Sequence, residues 1–332
     1  MSDAPIPHRR DVVGAAVWRS GDIAASDDWC VVLDDAQRAA LVDATRAAIA
    51  AGITLSSLRR EVFALPTLTD AIDDWSTTLE RGRGFLLLRN FPIDLLDEAE
   101  TELAYAGLGC QFGTPVGQNK QAELLTHVRD ERLPADAGKV RLYRTNERQD
   151  FHTDGADIIC LLCLHRARSG GESRIVSSGA IYNEIRRLRP DLLEALYEPT
   201  GWDRQGDVPA GELPWFMLAP INDVDGVPRV FYLGWYIRDA QRHPEVPRLT
   251  PAQSAAMELL ESLANDPSFH VEMDFQPGDV QLLNNGRILH AREAYEDDED
   301  PAARRHLLRL WLAAHRFASL EDGLRGGIAK PS

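Results

Sequence analysis

From about Lys139 onward the chain runs as short apolar segments set apart by turn residues, and this texture most narrows its possible folds. "KVRLYR", "DIICLLCLHRA", "SRIVS", "PWFMLAPI", "PRVFYLGWYI", "FHVEMDF", "DVQLLNN" and "RHLLRLWLAAHR" all read as strands. Two helical stretches interrupt them. One lies over "AIYNEIRRLRPDLLEALYE"; the other is "TPAQSAAMELLESLAND", capped by Thr250 and opened by Pro251. "QPGD" (Gln276 to Asp279) fits a type II turn, since Pro277 presets its φ and Gly278 accepts the positive φ that follows. Many short strands parted by turns imply a sandwich or jelly roll. The strand-helix-strand rhythm of a parallel sheet is missing, and so is a Gly-rich phosphate loop.

The first third reads differently. "LDDAQRAALVDATRAAIAAG", "TLTDAIDDWSTTLERGRG" and "LLDEAETELAYAGLGCQFG" carry helical spacing, with Asp34 or Asp35 as a cap and Gly52 as a stop in the first. "GFLLLRNFP" is a short buried strand between the last two. The expectation is a β-rich α+β chain, with a mainly helical region over 1–83 packing on a catalytic domain over 84–332. No Ser/Gly linker divides the two. At 332 residues, 44% of them hydrophobic, the chain can bury a sizeable core. The net charge of −16 argues against nucleic-acid or anionic-membrane partners. With no signal-peptide pattern and no apolar run of membrane length, a cytoplasmic protein acting on a small molecule is expected. Homo-oligomer formation stays open. Cys160 and Cys163 form a C-x-x-C, but an odd spacing in a strand points them to opposite faces, so packing is expected of them and not redox or zinc chemistry.

"FHTD" carries the chemistry. At a strand end, His152 and Asp154 share a face and can grip one metal ion. His290, at the end of "GDVQLLNNGRILH", is the best candidate for a third ligand. His270 alternates with Phe269, Val271 and Met273 and is expected to face solvent. Two imidazoles and one carboxylate on one face of an octahedral ion form the facial triad of non-haem Fe(II) oxygenases. The open positions suit a 2-oxo acid and O₂. Arg305 and Arg309, four apart in "ARRHLLRLWL", lie on one strand face and are suited to grip a carboxylate.

These residues resemble the Fe(II)- and 2-oxoglutarate-dependent dioxygenases, in particular the taurine-dioxygenase-like branch. The resemblance rests on "FHTDGAD" (151–157), "GGESRIVSS" (170–178), "NNGRILHAR" (284–292) and "RRHLLRLWL" (304–312), and spans roughly Gly84 to Ala314. It implies a double-stranded β-helix with helices outside it, and Fe(II) held by His152, Asp154 and His290. It further implies 2-oxoglutarate held at its distal carboxylate by Arg305 and Ser173, and Arg309 facing an anionic group on the substrate. Asp154 sets the chain apart from the halogenating members, which lack a carboxylate there. The implied reaction decarboxylates 2-oxoglutarate to succinate and CO₂ while an unactivated C–H is oxidised, most simply to an alcohol.

The primary substrate is not legible. Val116 to Val140 is the expected lid, and Asn119, Lys120, Tyr143, Asn146, Trp215 and Trp235 are candidate pocket residues. Two other readings stand beside the oxygenase: a non-catalytic jelly-roll binding or sensor module, and a zinc hydrolase using the same three ligands.

Overall fold

The computed structural model describes residues 9–133, 141–224 and 226–316. Its centre is two facing sheets. The larger has seven strands, in the order Cys30–Val32, Phe85–Arg89, Val280–Asn284, Ile158–His165, His306–Ala314 and Gly113–Pro115, with Leu125–Val128 also pairing the long last strand. The smaller has four, in the order His270–Met273, Ser173–Ser177, Ile288–Arg292 and Gln149–His152. Only the Cys30–Val32 and Phe85–Arg89 pairing is parallel among these. The arrangement is the expected jelly roll with helices outside it.

Side-chain alternation divides the apolar residues into three layers. On the larger sheet Leu86, Leu88, Cys160, Leu162, Leu308, Leu310 and Leu312 pack outward against Leu41, Trp75, Leu79, Leu103 and Tyr105 of the N-terminal helices. Phe85, Leu87, Ile159, Cys163, Leu283 and Leu307 point the other way and meet Ile175, Met273 and Ile288 of the smaller sheet. Val176, Leu289 and Ala291 face outward again, onto Ile181, Ile185, Leu193, Met257 and Leu260. Cys160 and Cys163 fall in different layers, as their odd spacing demands, and both are free thiols.

The helices begin where capping chemistry places them. Asp34 accepts from the Gln37 amide to open Asp35–Ala50, and Asp97 accepts from Glu100 to open Glu98–Gly109. Thr250 does the same for Pro251–Ala264. The stretch read as one helix after Ser177 is two, Ser178–Leu188 and Pro190–Leu196, because Pro190 cannot continue the first.

Three further expectations fail. Of "KVRLYR", residues Leu142–Arg144 form a 3-10 turn, and Lys139 and Val140 lie outside the described residues. Of "PRVFYLGWYI" only the first three residues are strand, the end of Val227–Val230; Gly234–Ala240 is helix. The backbone of Tyr232 is pinned instead to Thr153, amide to hydroxyl at 2.8 Å and carbonyl to amide at 2.8 Å. His270 is buried, not exposed, and its Nδ1–H donates to the Ala264 carbonyl that ends the neighbouring helix. The register that turns Met273 and Ile175 inward leaves His270 beneath that helix.

The outward leucines of the last strand should govern stability. Leu308, fully buried, is expected to cost ~2–5 kcal/mol as Leu308→Ala. Val13→Ala, at an 85% exposed position, should stay within about 0.5 kcal/mol. Urea unfolding of both variants checks the contrast.

Candidate metal centre

Strand pairing assembles the site. Gln149–His152 runs antiparallel to Ile288–Arg292 with His152 directly opposite His290, and the two rings lie 4.2 Å apart between centroids. Just past the first strand, Asp154 turns its carboxylate between them: Oδ1 lies 3.8 Å from His152 Nε2 and Oδ2 lies 3.6 Å from His290 Nε2. One ligand atom from each residue falls within 4.8 Å of the others, the single such three-donor group among the described residues. All three side chains are buried.

The donor set fits a divalent transition metal. His152 donates Nδ1–H to the Asp150 carbonyl at 2.8 Å, which leaves the Nε2 lone pair facing the centre. That lone pair accepts from Gln149 Nε2 at 3.0 Å, a bond that a bound metal would replace. Burial first, then the neighbouring His290, pushes His152 down to about 3, so it is a neutral ligand at ordinary pH. Burial opposes ionisation of Asp154, but Arg309, His290 and His152 outweigh it and hold the carboxyl well below its usual range. These three donors, all within 4.8 Å of one another, would hold a divalent cation and leave positions open on it.

Asp154 is held from two sides. Trp311 Nε1 donates to Oδ2 at 3.0 Å and Arg309 Nη1 at 3.3 Å, leaving Oδ1 free of these donors and turned toward His152. Its backbone is clamped by Asn285, whose Oδ1 accepts the Asp154 amide at 3.0 Å and whose Nδ2 donates to the Asp154 and Ala156 carbonyls. Arg309 is fixed in turn by Gln118 Oε1, 2.8 Å from Nε.

Two cavities meet at these ligands. The outer one, about 440 Å³, is lined by Asp154, Trp235, Tyr236, Phe216, Trp311 and Arg309, with Arg141 and Arg204 also on its wall. The inner one is lined by His152, His290, Ser173, Arg292, Arg305 and Arg309. Arg305 and Arg309 therefore do share a face, since alternation along the last strand turns Leu307 and Trp311 the same way. Arg305 passes close beneath Gly171, where φ is +79° and an added Cβ would stand 2.9 Å from Arg305 Nε. Any side chain there would push the guanidinium aside, which accounts for the second glycine of "GGES".

The other candidates divide. Tyr143 lines both cavities, with its ring 5.0 Å from the Arg309 guanidinium carbon, and Trp235 lines the outer one against His152. Asn146 lines neither cavity; its amide donates to the Tyr295 carbonyl at 3.2 Å. Asn119 pairs with Glu123, Lys120 is exposed beside Asp207, and Trp215 lines neither cavity, although its neighbour Phe216 lines the outer one. Trp311, Gln118, Gln149, Asn285 and Arg292 were not anticipated. The signal was present for Trp311, which shares a strand face with Arg305 and Arg309.

The sequence matches the family described as "Taurine catabolism dioxygenase TauD, TfdA family" over residues 51–311. The chain belongs to the TauD/TfdA family. It is 32% identical to the FR-33289 synthase of Streptomyces rubellomurinus, over 92% of this chain and 91% of the relative. It is 30% identical to the taurine hydroxylase-like protein SAT17 of Stachybotrys chartarum, over 88% and 77%. The asparagine oxygenase structure with Fe(II), 3-hydroxyasparagine and succinate has the same fold, with a TM-score of 0.65 at 16% identity over 86% of this chain and 93% of that one. OrfP with iron and alpha-ketoglutaric acid gives 0.63 at 17%, over 86% and 93%. As a TauD/TfdA member the chain is an Fe(II)- and 2-oxoglutarate-dependent oxygenase, which sets aside the zinc hydrolase and the non-catalytic module. No described helix is long and apolar enough to cross a membrane.

Trp311→Phe keeps the ring and removes the bond to Asp154. It is expected to weaken metal binding ~10–100-fold, read by Mn(II) titration, with little change in unfolding midpoint. The metal-free protein should also be acid-sensitive. His152 is held near 3, and His306, by burial and then by His127, near 4, whereas both take a proton near ~6.5 once unfolded. The unfolded chain then binds more protons below ~6.5, so stability present above that pH is lost progressively as pH falls toward about 4 and below. Urea midpoints across that range test the sign.

Proposed function

We propose that His152, Asp154 and His290 hold the catalytic Fe(II), that Ser173 and Arg305 bind the distal carboxylate of 2-oxoglutarate, and that the outer cavity takes a small anionic substrate for C–H hydroxylation. The observation that carries this reading is the convergence of three buried donors within 4.8 Å at the junction of two cavities. When bound, the iron with 2-oxoglutarate and O₂ supplies the oxidising power that removes hydrogen from an unactivated C–H, with succinate and CO₂ as the co-substrate's products.

The chain's own residues do the rest. The Asp150 carbonyl keeps His152 in the tautomer that presents Nε2. Trp311 and Arg309 hold one Asp154 oxygen and leave the other for the metal. In the inner cavity Gln281 donates to Ser173 Oγ at 3.2 Å, and Arg305 Nη1 is buried without a partner, so a carboxylate there gains a charged and a neutral donor together. Tyr143, Phe216, Trp235, Tyr236 and Trp311 wall the outer cavity and exclude water from the oxidised carbon.

An anionic substrate suits the arginines that line the outer wall. The outer cavity carries Arg141, Arg204 and Arg309 against Asp154 and Asp207, in a chain whose net charge is −16. Arg141 is ion-paired with Asp207, Arg204 with Glu212 and Arg309 with Asp154, so an anion there would bind by sharing or displacing these partners. Two relatives, at 28% and 25% identity, are uridine-5'-phosphate dioxygenases, whose named substrate is itself anionic.

The test is anaerobic addition of Fe(II) and 2-oxoglutarate, followed by the visible charge-transfer band of the chelate. Wild type should show the band, and His152→Ala should lose it. Arg305→Gln should raise the half-saturating 2-oxoglutarate concentration ~10–100-fold. A band undiminished in His152→Ala overturns the assignment.

A further inference from the structure

The inner cavity contains more positive charge than one carboxylate-binding arginine explains. Arg292, one strand alternation beyond His290, points into the same cavity as Arg305 and is 6% exposed. Its Nε and Nη1 are buried without a hydrogen-bond partner, and so is Nη1 of Arg305. The two guanidinium carbons lie 5.1 and 4.9 Å from the ring centre of Tyr295, which stands beside both. Buried guanidinium groups with unmade bonds are costly unless an anion reaches them. A carboxylate has enough lone pairs to accept from both.

The remaining nitrogen of Arg292 faces the other way. Nη2 donates to the carbonyls of Leu142 and Glu147, the two ends of one loop. Tyr295 holds the same loop, exchanging backbone and side-chain bonds with Asn146 at 3.1 and 3.2 Å and donating its hydroxyl to the Thr145 carbonyl at 3.4 Å. That loop carries Tyr143, which borders both cavities and packs on Arg309. One guanidinium thus spans from the inner cavity to the wall of the outer one.

We propose that Arg292 is a second cation for the distal carboxylate of 2-oxoglutarate, and that a carboxylate held there anchors the guanidinium that bonds Leu142 and Glu147, so that co-substrate binding further steadies the Tyr143 loop. The proposal rests on 2-oxoglutarate occupying the inner cavity, as assigned above. Its consequence is a coupling of the two cavities: a carboxylate bound in the inner one steadies a wall of the outer one. It also demands a dicarboxylate, because a 2-oxo acid with an alkyl end meets the metal but leaves Arg292 and Arg305 unpaired.

Hydrogen exchange of the anaerobic Fe(II) protein tests this without turnover. Wild type should show slowed exchange across 142–147 with 2-oxoglutarate and none with 2-oxobutyrate. Arg292→Gln should lose that slowing and raise the 2-oxoglutarate concentration for half-maximal chelate band ~10–100-fold. Arg292→Lys, which keeps the charge but cannot span both sides, should bind 2-oxoglutarate more tightly than Arg292→Gln and still leave the loop unprotected. Thermal melts of the Fe(II)-free variants near wild type show that both are folded. Equal slowing with both 2-oxo acids in wild type, or an unchanged half-saturation in Arg292→Gln, overturns the proposal. Absence of any chelate band in wild type would instead overturn the underlying assignment of iron and 2-oxoglutarate.

Discussion

The site depends on one register, the pairing that sets His152 opposite His290 across two antiparallel strands. Strand side chains alternate, so a slip by one residue would send one imidazole out among Phe151, Leu289 and Ala291, which face the helices. The register is held by apolar burial on both sides. Ile288 and Ile175 anchor the inner face, while Leu289 and Val176 anchor the outer one. The convergence of the three donors and the core packing are therefore set by the same alternation, and neither can shift without the other.

Charge is handled in a similarly layered way. Around a chain of net charge −16, three arginines line the inner cavity and three the outer, with Arg309 common to both. Arg309 is already committed to Asp154 and Gln118, whereas Arg292 and Arg305 keep donors unpaired. The inner cavity thus holds buried guanidinium donors without partners, whereas Arg141 and Arg204 of the outer one are paired with Asp207 and Glu212. Preorganised cations of this kind bind without rearranging, because the cost of holding them together is met by the fold.

Much of this was legible from side-chain chemistry and period. "FHTD" at a strand end, His290 after a strand and bend, and Arg305 and Arg309 four apart each follow from alternation alone. The opposed thiols of Cys160 and Cys163 follow the same rule. His270 misled because alternation distinguishes two faces but not what covers them. Both faces of the smaller sheet are buried, so its polar residue found a helix carbonyl instead of water. The segment after Val230 misled because aromatic and β-branched residues suit a strand, yet the bonds between Tyr232 and Thr153 end the strand and release a helix. Asn146 looked like a pocket residue and proved to be a loop anchor, a distinction that depends on Tyr295, far away in the chain.

What the sequence by itself determined is the repertoire: strands of period two, capped helices, two histidines and a carboxylate able to share an ion, and arginines aligned on one face. These are local properties, dictated by side-chain geometry along a single element. Tertiary structure alone decided which oxygen of Asp154 is left for a metal, which arginines remain unpaired, and that Arg292 joins the cavity to a loop. Those outcomes depend on contacts such as Trp311 to Asp154 and Arg292 to Leu142, between strands and loops widely separated in the chain. Long-range packing brings such groups together, and no period within one element encodes it.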